Sequence, residues 1–491
     1  MRREVADIGI VGAGFAGSLM AMILARQGRS VVLLEKGKHP RFALGEASTP
    51  FANMLFRELA RRYDLPRLTP LAKYGPWKRA YPELPTGLKR GFSFFQHHAG
   101  RTFRPTTNHR EELLVAASSA NETSDTHWYR PAFDEFLAAE ASGLGVPYFD
   151  ETELTVLQAA PDWRLQARRS CETFDLRCRF LIDASGPGGF LARALAIDAQ
   201  PTTMRTNSWS IHAHFRSVRK WKNVLDRLEA NQAEYPYPCD DSTLHHLLDD
   251  GWMWVIPFEN GITSAGFMLD GTRRASDPHL SPEDEWFRVL ADYPSIAEQF
   301  AEAERITPMY RTGRLQRRAR TLCGPNWAML PHAAYALDAL FSIGNAHALL
   351  GIERLARTLE SCWDRALLAE ALRQDERALQ EEINHVDALV HACYRGFGRA
   401  RVFAATSMFY FVGAHGAELA RGEGKAQPED RFLTSHHAEL AAAVREAPVR
   451  IASIASERDE ALYEEWVRGQ LAPLNRGGFC DPAKANLYPC S

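Results

Sequence analysis

The segment Gly12-Ala13-Gly14-Phe15-Ala16-Gly17 constrains this chain more than any other. It follows a short apolar run, Val5 to Val11, and leads into a helical pattern from Ser18 to Gln27 that Gly28 ends. A second apolar run, Val31 to Leu34, finishes at Glu35. Strand, glycine-rich turn, helix, strand and terminal acid in this order make a βαβ unit suited to a dinucleotide. Gly12 permits the tight turn, Gly14 lets backbone N–H groups approach a pyrophosphate, and Gly17 allows helix and strand to pack closely. The helix N-terminus, flanked by Ala13 and Ala16, presents its positive dipole end, and Glu35 can accept hydrogen bonds from a ribose diol.

The 491 residues exceed one compact core and fit two or three domains, or one large α/β domain with an extension. A net charge of −3 gives no excess of Lys and Arg for a phosphate backbone, so no nucleic-acid partner is expected. The longest apolar stretch, Val402 to Ala414, falls short of a membrane span. The N-terminus runs directly into a strand pattern without a signal-peptide core, which points to the cytoplasm. Eight cysteines, Cys171 and Cys178 among them, are scattered without a CxxC pair and imply neither a disulfide framework nor zinc. The histidine pairs are adjacent in sequence and diverge on either a strand or a helix, so no metal site is expected.

Two later segments separate the possible dinucleotides. Arg130-Pro131-Ala132-Phe133-Asp134 opens a helix running to Gly143, and Phe180 to Gly186 is an apolar strand ending in a small-residue turn at Asp183. Together they resemble the large FAD-dependent monooxygenase superfamily. Gly251 to Pro257 reads WxWxIP after its glycine, and Gly45 to Pro50 reads GEASTP. Lys89 to Phe95, Leu244-His245-His246 and Asp338 to Gly344 continue the pattern in order. On these motifs the chain resembles the flavin-dependent halogenases, most nearly those acting on small free phenolics. The fold so implied is α/β: a Rossmann-type FAD-binding core over 1–350, interleaved with an antiparallel substrate sheet (about 76–130 and 200–315). A mainly helical region, 351–491, would cover the substrate side.

The resemblance implies FAD contacts at Gly12, Ala13, Gly14, Ala16, Gly17, Glu35, Arg41, Ala47, Arg130, Asp183, His332, Asp338 and Asn345. It implies that FADH2 comes from a separate flavin reductase, and that O2 and chloride or bromide yield hypohalous acid. Ser342, Ile343 and Gly344 would hold the halide. Lys89, in the family's KxGxxF context, would be the essential lysine that delivers electrophilic halogen to an aromatic small molecule; Lys73 and Lys78 are expected in a solvated loop. Phe95, His245, Trp252, Trp254 and Phe341 would surround the substrate, the tryptophan pair keeping it from the flavin and His245 or His246 accepting a phenolic proton. Phe341 stands where tryptophan halogenases carry an acid, which favours a phenol over an indole. Ala339 replaces the proline of the halide loop and puts its rigidity in doubt, and Pro331-His332-Ala333 departs from the GDA of FAD hydroxylases, weakening a pyrophosphate role for His332. An NAD(P)H-coupled aromatic hydroxylase and a non-halogenating FAD-binding scaffold stay open, as does a homodimer. The basic clusters Arg216 to Lys222 and Arg317 to Arg320 are expected to be solvated faces.

Overall fold

The computed structural model describes residues 2–169, 172–197, 203–363, 365–427 and 430–490. Cys171 lies outside them. The opening βαβ unit forms as read, with strand Arg2–Val11, helix Phe15–Arg26 and strand Val31–Leu34. Arg2–Val11 is the centre of a sheet, pairing in parallel with Glu172–Asp183 on one side and Val31–Leu34 on the other. Residues Ile8, Ile10, Leu33 and Ile182 on its buried strands have no exposure, as parallel strands covered on both faces require.

Among the described residues, a second sheet of nine strands carries the motif residues. Ser208–Arg216, Thr263–Asp270, Gly251–Pro257, Thr243–Leu248, Gly91–Gln96 and Glu112–Ala116 lie side by side in that order. It is not wholly antiparallel. Thr243–Leu248 runs parallel to Gly91–Gln96, because a long crossover rather than a hairpin joins them, and Leu487–Tyr488 pairs in parallel with Glu112–Ala116. Register assigns the faces. His245 stands opposite both Phe94 and Trp254, and Trp254 opposite Gly266. Residues directly across a ladder share a face, so Phe92, Phe94, His245, Trp252 and Trp254 look one way, while Phe95, His246 and Met253 look the other.

The C-terminal region is helical, with Ile343–Ser361, Arg365–Gly396, Ala400–Gly422, Ala438–Ala452 and Glu457–Leu471. The first of these runs through the expected boundary at 350, so the two regions share a helix. Ala400–Gly422 is buried from Val402 to Gly413 and lays Phe403, Tyr410 and Phe411 against the aromatic face of the second sheet. None of the described helices is long and apolar enough to cross a membrane.

Gly266 makes room for this face. A Cβ there would come within 2.3 Å of Trp254 Cη2 and 2.5 Å of His212 Cβ. Gly266→Ala should therefore lower the unfolding free energy in urea by about 1–3 kcal/mol through overpacking. Unchanged stability would show that the indole has somewhere else to go.

Candidate active site

A cavity of about 590 Å³ runs from the first glycine turn to the second sheet. At its polar end the three motif glycines have different tasks. Gly12 has φ +105°, and its Cβ would fall 2.5 Å from the Ala184 carbonyl oxygen; a Cβ at Gly17 would fall 1.9 Å from that of Gly12. Both are demanded by the fold. At Gly14 a Cβ would stand 3.5 Å from Asp134 and 3.6 Å from the guanidinium nitrogens of Arg41 and Arg130, ordinary contact distances. No protein atom forbids a side chain there, so the bare backbone leaves space for something else at the N-terminus of Phe15–Arg26.

Arg41 and Arg130 line that space. Arg130 is held by a bidentate pair with Asp134 (2.7 and 2.8 Å) and reaches the Leu44 and Gly45 carbonyls. Glu35 accepts from the amides of Ala13 and Gly37, both at 2.9 Å, and from Arg41 at 3.0 Å. Burial works against its charge, yet Arg41 and those amides hold the carboxyl below its ordinary range. Asn345 donates to the Gly45 and Ala47 carbonyls (3.0 and 3.1 Å), and its Oδ1 is buried without a partner. A glycine-backed helix N-terminus, two arginines and an unmet amide oxygen fit a dinucleotide that lies along the cavity. Asp183 does not reach it. Its carboxylate is consumed by Ser185 and the Leu191 amide, so it shapes the Ser185–Gly186 turn, which does line the cavity.

At the far end Trp252, Trp254, His245 and His212 form a wall. Trp252 Nε1 donates to Asp338 (3.1 Å) and Trp254 Nε1 to Ser264 (3.2 Å), which fixes both indoles. His245 stacks on Phe94 with centroids 4.3 Å apart. Its Nδ1 lies 3.3 Å from the Ser93 carbonyl oxygen, while its Nε2 is buried and unpartnered. Burial, then the Lys89 charge, lowers its pKa to about 3. His245 is thus a neutral ring that offers a lone pair but does not hold a proton near neutrality. His246 faces away, between His97 and Gln299. Phe95 is a correction to the expected pocket: strand alternation turns it to the opposite face, against Phe103 and Trp221. Phe92, on the same face as Phe94, stacks on His245 instead.

Lys89 ends the strand Thr86–Lys89 and has no solvent exposure. Its Nζ donates to the Ser48 carbonyl (2.7 Å) and to Ser342 Oγ (3.2 Å), and lies 4.1 Å from the centroid of the Phe92 ring. Burial, partly countered by Asp125, brings its pKa down to about 7. Such a lysine changes charge near neutrality.

The segment after Asp338 places a helix N-terminus beside this ammonium. Phe341 and Ser342 take positive φ (66° and 57°), and Ile343–Ser361 begins immediately after them. The amides of Ile343 and Gly344 belong to its unpaired first turn, a ready anion site. His332 packs against Gly344, where a Cβ would meet its Nε2 at 2.9 Å; burial followed by the Arg130 charge lowers its pKa to about 4. Ala339 does not leave the loop slack. Asp338 anchors it by accepting from Trp252, Leu340, Ser208 and Tyr394. Phe341 is fully buried and stacks on Tyr410 at 4.5 Å, beside Phe94.

Two charged residues differ from their expected solvated placement, and a third carried no signal. Lys73 follows a short 3-10 turn and precedes the helix Tyr74–Ala80, and it is no solvated charge, since its Nζ meets Asp125 at 2.8 Å. Arg317 turns inward to the carbonyls of Gly186, His332 and Ala333 and lines the cavity. Asp125 carried no motif signal; only the pairing of Thr86–Lys89 with Asp125–Trp128 brings it opposite Lys89.

Residues 7–356 match the model of the FAD dependent oxidoreductase family. The monodechloroaminopyrrolnitrin halogenase PrnC of Pseudomonas fluorescens is 30% identical over 414 residues, covering 83% of this chain and 71% of that protein. The tetracycline 7-halogenase of Kitasatospora aureofaciens is 29% identical over 392 residues, covering 76% of this chain and 65% of its own length. Among solved structures, halogenase PltM in complex with phloroglucinol and FAD superposes with a TM-score of 0.87 at 23% identity, over 98% of this chain and 99% of that one. That likeness speaks for the fold.

The lowered pKa of Lys89 has a signed consequence. An unfolded lysine titrates near ~10.4. Between about pH 7 and that value the unfolded chain binds the extra proton, so folding stability rises with pH across this window. Below it the native state bears the full penalty of a buried ammonium. In urea titrations, Lys89→Met should therefore gain most over wild type below about pH 7, and the gain should shrink toward pH 10. A gain independent of pH would contradict the assignment.

Proposed function

The chain belongs to the flavin-dependent halogenases, within the FAD dependent oxidoreductase family, and we propose that it halogenates a small phenol. The observation that carries this is Lys89, buried without exposure, donating to Ser342 on the anion-binding turn and lying beside an aromatic pocket with one unmet acceptor, His245 Nε2. When bound in reduced form, FAD supplies the electrons with which O2 and chloride or bromide become hypohalous acid, and a separate reductase provides that form.

The chain's own residues then divide the work. The amides of Ile343 and Gly344, with Ser342, hold the halide at the helix N-terminus. Trp252 and Trp254, both pinned by their indole N–H groups, wall the substrate off from the flavin. Lys89 has a third N–H free to donate to the hypohalous oxygen. As halogen moves to the ring carbon, the O–halogen bond breaks, that oxygen takes the Lys89 proton, and water leaves. The C–H proton of the ring then passes to the Lys89 amine, which restores the ammonium. His245 Nε2 accepts a hydrogen bond from the phenol hydroxyl, raising the electron density of the ring without removing the proton. Phe94, Phe341 and Tyr410 exclude water, so the oxidant is not lost to side reactions.

With FAD, a flavin reductase, a halide salt and a panel of phenols, mass spectrometry should show the chlorine or bromine isotope pattern in one or more products. Lys89→Ala should lower that yield at least ~100-fold, the scale of losing a positioned proton donor and acceptor. Retained halogenation would remove Lys89 from its role. Gly14→Ala should weaken FAD binding about tenfold or more while leaving the unfolding midpoint close to wild type, because the protein itself has room for a Cβ there. Equal loss of stability and affinity would mean that the protein itself needs the glycine.

A further inference from the structure

Two charged residues behind Lys89 have no part in the chemistry above. Asp125 stands directly across the two-stranded ladder from Lys89 and is wholly buried. Its Oδ1 accepts from the Asn53 amide (2.7 Å) and the Lys73 ammonium (2.8 Å), while its Oδ2 is buried with no hydrogen-bond partner. Lys73 keeps 28% of its side chain exposed. Lys89 itself donates to Ser48 and Ser342. A carboxylate has therefore been desolvated opposite one buried lysine, yet bonded to another. Desolvating a carboxylate is costly, and an apolar pair would pack this ladder more cheaply.

The other ionisable groups around Lys89 do not compete for this part. His127 and His245 are kept neutral by burial and then by the Lys89 charge. Burial raises the Tyr410 phenol well above its usual range. Glu418, on Ala400–Gly422, accepts the Phe51 amide; burial and then the Asp125 charge raise its pKa to about 8, so it is mostly neutral at pH 7. Cys490 is also raised by burial, and Arg90 turns out to Ser118 and Asn121. That leaves Asp125 as the anion facing Lys89 and Lys73 as its counter-cation.

We propose that Asp125 and Lys73 are positioning residues that set how readily Lys89 gives up and regains its proton during halogen transfer. Asp125 holds the proton on Lys89, and Lys73 tempers that pull. Too strong a hold would stop Lys89 from protonating the hypohalous oxygen; too weak a hold would leave an amine with nothing to donate. The proposal rests on Lys89 as the residue that delivers halogen, but its test does not need turnover.

The full chain has nine lysines, few enough for NMR of protein carrying ¹³C-labelled lysine, with the Lys89 signal identified by its absence in Lys89→Met. Asp125→Asn should lower the pH midpoint of Lys89 by about one unit, and Lys73→Gln should raise it, each near a tenfold change in proton affinity. Lys73→Arg should restore the wild-type midpoint. The Lys89-dependent limb of the halogenation pH profile should move in the same two directions. A purely structural pair would lower stability or rate without opposite shifts. Midpoints that stay put, or that move the same way in both variants, overturn the proposal. Lys73 is partly exposed, so its substitution carries the test even if Asp125→Asn does not fold. Loss of the Lys89 role would appear separately, as halogenation retained in Lys89→Ala while the midpoints still shift.

Discussion

One buried ammonium ties the site together. Lys89 Nζ joins the Ser48 carbonyl to Ser342 Oγ, so the segment after the first βαβ unit, a short strand and the start of a C-terminal helix meet at a single atom. An ammonium removed from water must be met on its donors or lose its proton, and here it sits between the two outcomes. Everything near it follows from that condition. Ser342 adopts a left-handed backbone that aims its hydroxyl inward, Ser48 is tied to Thr126, and the aromatic rings keep water away.

The rest of the cavity divides by polarity. Its arginine end is organised by charge: Glu35 and Asp134 hold Arg41 and Arg130 in place, so two guanidinium groups are already ordered at that end of the cavity. Its aromatic end is organised by one face of one sheet, where pairing register alone decides that Phe94, His245 and Trp254 are neighbours. Asp338 joins the two ends. It fastens the helix-leading loop to the Trp252 indole, so the first turn of Ile343–Ser361 and the wall beside it are placed by the same carboxylate.

Local signals were readable where backbone geometry demands a residue type. Gly12 and Gly17 announce a turn that nothing larger fits, and the helix from Arg130 to Gly143 begins and ends where the pattern places it. Lys89 stood out in the sequence because its spacing to Gly91 and Phe94 matches a family motif. What strands pair with could not be read that way. Phe95 looked equivalent to Phe94 until alternation separated them, and Asp125 lies 36 positions from Lys89 with no motif of its own. Lys73 and Arg317 resembled ordinary surface charges because the carboxylate and carbonyls that capture them come from distant segments. The helix Ile343–Ser361 runs across the expected boundary at 350, because its first residues follow the Asp338 loop and its last belong with the helical region.

The bonds that complete the site span great lengths of chain. Asn345 to Gly45 closes a separation of 300 residues, Lys89 to Ser342 one of 253, and Leu487–Tyr488 finishes a sheet edge begun at Glu112–Ala116. Contacts of this kind cannot form until the later partner has emerged from the ribosome. The first βαβ unit is complete by Leu34, but Lys89 must wait for Ser342 to be made before its ammonium has both acceptors. Until then the aromatic face of the second sheet has no helix over it. High contact order slows folding and prolongs that exposure, so the interval in which this protein is most prone to aggregate is written into the distance between the two halves of its own active site.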